Sequence, residues 1–88
     1  MDTLQDTFTY RGMTIPPNML VSLNMYVTDR QPPGGFLMAV LCNNLKEAIW
    51  RADPTNLKVL PAYVAYCFNE LPSGCWGSSE KVGNWLAL

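Results

Sequence analysis

The stretch FLMAVLCNNLKEAIWRADP, residues 36–54, decides the fold class. Its first seven residues are apolar without a break, and the remainder alternates apolar and charged side chains at helical spacing. This pattern predicts one central helix over residues 36–52, its first half buried from more than one direction. Its second half is amphipathic, with Leu45, Ala48 and Ile49 inward and Lys46, Glu47 and Arg51 outward. Asn43 and Asn44 then fall in mid-helix, where a short amide competes for the backbone's own hydrogen bonds. One of the two is expected to face inward, onto a loop carbonyl, a symmetry-related asparagine or the edge of a ligand.

Working outward, Asp53 and Pro54 supply the N-cap and first position of the next helix. Leu57, Leu60, Val64, Phe68 and Leu71 recur at three- and four-residue intervals and predict its inner face. Pro61 lies inside that pattern, where it deletes the hydrogen bond to the Leu57 carbonyl and kinks the axis. Upstream, TIPPN (residues 14–18) opens a helix reaching to about residue 29, with Leu20, Leu23, Tyr26 and Val27 on one side, and RQPPGG stops it. Downstream, PSGCWG breaks the helical pattern. Ser78 caps a short last helix, with Val82, Trp85 and Leu86 on one side and Trp85 docking it. Near the start, Thr3, Thr7, Phe8, Thr9 and Tyr10 before Gly12 read as a short strand or a disordered arm. The predicted architecture is all-α: a single domain over residues 1–88, with a short extended arm at 1–13. Residues 14–88 form a compact bundle of about four helices.

Composition limits what such a chain does. A domain of 88 residues buries only about 60% of its unfolded surface, so its core is thin. Charged residues make up 15%, against roughly 25% in typical domains, so its outside must carry apolar groups. Self-association or a partner is the expected cover. Six basic residues oppose seven acidic ones and are scattered, which argues against polymeric nucleic acid. The longest apolar run is too short to cross a bilayer, and the acidic, polar N-terminus lacks signal-peptide character. Three cysteines without close pairing fit reduced thiols in a cytoplasm. The absence of histidine removes a His-based triad, general base or metal ligand. No cofactor motif, metal site or catalytic residue is expected. Cys75, near a helix N-terminus where thiol pKa values fall, lacks a histidine to act as its base.

The remaining candidates are binding residues. Gly77 and Ser78, with Ser79 after them, lead into the last helix, whose first amides lack intrahelical partners and attract anions. Trp76 in that turn is placed to stack on a planar ring, and the alternative is a helix-linking turn around a buried tryptophan. Gly34 and Gly35 open the amides of the central helix in the same way, or make a tight connector. Two glycine-exposed helix starts suit a ligand with more than one phosphate if the fold brings them together. Asn44, Trp50 and Arg51, and Arg11 beside Tyr10, are the further contributors, and the alternative for residues 50 and 51 is an interface tryptophan and a solvated arginine.

The blocks IPP, PPGGFLMAVLCNNL, RAD, YCFNELPSGCWGS and the final tryptophan, Trp85, span most of residues 14–85. In these blocks the chain resembles a family of short phage-encoded helical accessory proteins. The resemblance implies an anti-defence setting in a host cytoplasm. The expected function is non-catalytic sequestration of a small phosphorylated signal, a nucleotide, by a homo-oligomer. The alternatives are inhibition of a host defence protein by direct binding, and an accessory role in phage replication or packaging.

Overall fold

The computed structural model describes residues 6–88, so Thr3 of the expected arm lies outside the described residues. The segment that follows is a hairpin: β1 (Thr9–Tyr10) pairs antiparallel with β2 (Met13–Thr14), Thr9 opposite Thr14 and Tyr10 opposite Met13. Arg11 and Gly12 turn the chain with φ of 51° and 80°. Both values lie in the left-handed region that a two-residue hairpin of matching twist requires. The Thr9 and Thr14 hydroxyls bond to each other at 2.8 Å, and the Phe8 ring meets Tyr66 edge-on at 5.0 Å.

The body is helical but has more, shorter helices than the four expected. Helix α1 (Pro17–Asp29) starts on consecutive prolines and ends at Arg30, whose φ is 55°. Its buried residues are the four predicted, Leu20, Leu23, Tyr26 and Val27. The central helix expected over residues 36–52 is instead two, α2 (Gly35–Leu41) and α3 (Leu45–Arg51). Asn43 makes the break with φ 59°. Its amide donates to the Val40 carbonyl at 3.0 Å and the Asn44 amide to Ala39 at 2.9 Å, the bond pair of a Schellman cap. The Asn44 side chain then accepts from the Glu47 amide at 3.2 Å and starts α3. The asparagines are therefore an end and a start, both exposed, and neither faces the core. The turn also re-aims α3: Ala48 is buried, but Leu45 is 64% exposed and Ile49 also lies outside.

The next predicted helix divides in the same way, into α4 (Pro54–Lys58) and α5 (Leu60–Glu70). Asp53 caps α4 as expected, accepting from the Asn56 amide at 2.7 Å. Pro61 falls in the first turn of α5, where no intrahelical acceptor is owed, so it starts a helix instead of kinking one. The buried face of α5 is Ala62, Tyr63, Tyr66 and Cys67, while Leu57, Val64 and Phe68 point outward. A 3₁₀ turn (Ser73–Cys75) leads to α6 (Ser79–Leu86), capped by Ser78, whose hydroxyl accepts from the Lys81 amide at 3.1 Å.

Buried tyrosines tie these short pieces together. Tyr26 donates to the Cys75 carbonyl at 2.7 Å, Tyr66 to the Asn24 amide oxygen at 2.6 Å, and Tyr63 to the Asn56 amide oxygen. Trp85 docks α6 as predicted, its Nε1 donating to the Tyr26 carbonyl at 3.2 Å with the Arg30 guanidinium 4.2 Å over its ring. Replacing Asn43 tests the corner between α2 and α3. Asn43→Val should cost about 1–2 kcal/mol, because a β-branched residue is strained at positive φ. Asn43→Gly should cost nothing. Urea unfolding midpoints separate the two.

Candidate functional site

The predicted binding residues fall in separate places. Gly35, Asn44 and Arg51 line one open cavity of about 380 Å³ together with Ser79, the first residue of α6. The contact at Gly35 is close: a Cβ there would stand 3.0 Å from Arg51 Nη1, so the glycine makes room for the guanidinium. Arg51 is not an unpaired cation, for its Nε donates to Glu47 Oε1 at 3.0 Å, and Glu47 lines the same cavity. Met38, Ala39 and Cys42 supply the apolar part. Gly34 is exposed with open space around its Cα.

Trp76 and Gly77 belong elsewhere. The Gly77 amide, expected to await an anion, donates to the Leu41 carbonyl at 2.7 Å and thereby caps the end of α2. Its φ of 114° is what requires glycine. The Ser78 hydroxyl is committed to capping α6. Trp76 is half-buried against the core and lines two surface grooves, both shared with Phe68. Arg11 is exposed at the hairpin turn, its guanidinium 5.2 Å from the ring of its own neighbour Tyr10. Thus Gly35 and Ser79, at the starts of α2 and α6, share one cavity, while Trp76 and Gly77 line another.

Burial disfavours the thiolate form of all three cysteines. Cys75 is fully buried, and burial pushes its thiol up to about 11, the reverse of the lowering expected from a helix start. Burial raises Cys67 to about 12 and also raises Cys42. Among the described residues no three Cys, Asp or Glu side chains converge as metal ligands. No helix among the described residues is long and apolar enough to cross a membrane.

Low charge predicted apolar groups on the outside, but sequence reasoning did not say which helix faces carry them. Trp50 is 83% exposed and, with Lys46 and Glu47, lines a cavity of about 290 Å³ on α3. Leu45 and Ile49 are exposed on the same helix. On α5, Phe68 is 77% exposed and Val64 47%. The available signals were Asn44 three residues before Glu47, a capping box that starts a helix mid-pattern, and Pro61 as a helix opener. Comparison with models of known protein families, with curated proteins and with solved structures found no match.

Proposed function

We propose that the protein is a non-catalytic binding module that engages another protein through the outer face of α3. The carrying observation is Trp50, 83% exposed on a short helix capped at Asn44. Lys46 and Glu47 line the same surface cavity as Trp50, and Leu45, Ile49 and Arg51 are exposed elsewhere around the helix. Tryptophan and arginine are over-represented where protein interfaces concentrate their energy. A tryptophan that loses its hydration against a partner removes on the order of 150–250 Å² from water. In the setting that the resemblance implies, the partner is a host defence protein, and occlusion is the mode of action.

The test is retention of a stoichiometric host protein on the immobilised chain, repeated with Trp50→Ala. An exposed side chain contributes little to folding, so the circular dichroism of the variant should match the parent. Affinity for the purified partner should fall at least about 30-fold, the scale of a central interface residue. If no partner is retained, or if the variant holds it equally well, the reading is wrong.

A second reading rests on the convergence of Gly35, Asn44, Arg51 and Ser79 on one cavity. It is capture of a small phosphorylated ligand, with Arg51 exchanging Glu47 for phosphate. It ranks second because Glu47 opposes the anion and no aromatic ring lines that cavity to stack a base. Calorimetry with cyclic and adenosine-derived nucleotides decides it, since heat that vanishes in Arg51→Ala is required.

A further inference from the structure

We infer that α5 is the contact face of a symmetric homodimer, two copies of the helix packing antiparallel about a twofold axis near Val64. This goes beyond the α3 reading and does not depend on it. The helix has apolar residues on both faces, and among the described residues only one of them is covered. Ala62, Tyr63, Tyr66 and Cys67 are buried, while Pro61, Val64 and Phe68 are exposed. Within α5 the one charged residue is Glu70, at its end. A helix apolar all round is normally buried.

Two features favour a second copy as the cover. First, a stripe free of charge is the composition of homodimer interfaces, which are more apolar than those of transient complexes. The α3 face, by contrast, mixes charge with its tryptophan. Second, the surface is self-complementary. Phe68 stands between two grooves of about 480 and 390 Å³, the larger lined by Pro61, Val64, Tyr10 and Trp76. The same antiparallel register brings Phe68 over residue 60 of its mate, beside Pro61 and Val64, where that larger groove lies. Knob and groove then meet twice through one operator, as an isologous interface requires.

The experiment is light scattering and sedimentation of the full chain across the micromolar range, with two variants. The parent should weigh twice its 9.9 kDa chain mass. Phe68→Lys should retain its helical circular dichroism and raise the dimer dissociation constant at least about 30-fold. Val64→Cys should form a disulfide-linked dimer on mild oxidation, because residues on a twofold axis meet their own copies. Cys67 and Cys75 are buried and should not compete, and the oxidised parent, which keeps the half-buried Cys42, should stay without a disulfide-linked dimer. A parent that stays monomeric overturns the inference and leaves the face to a foreign partner. A dimer that Phe68→Lys does not weaken places the contact elsewhere and also overturns it. A dimer that Val64→Cys cannot cross-link refutes the antiparallel register.

Discussion

Tyr26→Ala should abolish stable folding. Tyr26 is fully buried and joins three parts of the chain: α1, the 3₁₀ turn through its hydroxyl to the Cys75 carbonyl, and α6 through its own carbonyl to Trp85. Removing a buried aromatic ring costs about 3–5 kcal/mol, and leaving the Cys75 carbonyl unpaired adds about 1–3 kcal/mol. A domain of this size has about 5–15 kcal/mol in total. The milder Tyr26→Phe isolates the hydroxyl. It keeps the ring, so only the hydrogen-bond loss of about 1–3 kcal/mol applies. For a domain under 100 residues that lowers Tm by about 4–8 °C per kcal/mol. Calorimetric scans of the two variants measure this, and a Tyr26→Phe protein melting with the parent would show the Cys75 bond to be dispensable.

The second large effect is alkaline unfolding. Burial raises Cys67 to about 12 and Cys75 to about 11, from an ordinary thiol value of 9.0. Between pH 9 and those values the unfolded chain has released protons that the folded chain keeps, so stability falls as pH rises. Each such proton costs about 1.4 kcal/mol per pH unit. The two thiols together therefore remove about 4–5 kcal/mol by pH 11, an amount comparable with the whole stability of a marginal domain. Tyr26 and Tyr63, also raised by burial, add to the loss above pH 10. Below about pH 8 all four groups are neutral in both states and contribute no slope. Urea midpoints should hold steady from pH 7 to about pH 8, begin to fall towards pH 9 and then drop steeply. The drop should flatten in a Cys67→Ala, Cys75→Ala double variant, whatever its stability at neutral pH. A midpoint unchanged between pH 9 and pH 11 in the parent would mean that the thiols are not sealed from solvent.

Both effects come from the interior that ties short helices together, which is also what fixes the surfaces. Breaking the central segment at Asn43 turns Trp50, Leu45 and Ile49 outward on α3. Starting α5 at Leu60 rotates Val64 and Phe68 away from the core. The candidate faces are thus consequences of two helix boundaries, and an error of a few residues in either boundary conceals them.

Local chemistry was sufficient for much of the molecule. Aspartate and proline at residues 53 and 54, serine at 78 and the prolines at 16 and 17 each start a helix because their preferences act within one turn. The inner face of α1 was legible because that helix is long and uninterrupted, so its apolar spacing has one solution. The docking of Trp85 was legible too, since a helix of eight residues cannot stand without an anchor. The inner face of α5 was not. Its apolar residues occupy both sides, and periodicity cannot say which side the hairpin and α2 will cover. Nor does any local rule reveal that the Gly77 amide meets the Leu41 carbonyl, 36 residues back, at 2.7 Å. Those choices belong to tertiary packing, because burial is a property of the assembled surfaces and a helix with two apolar faces carries no label for the inner one.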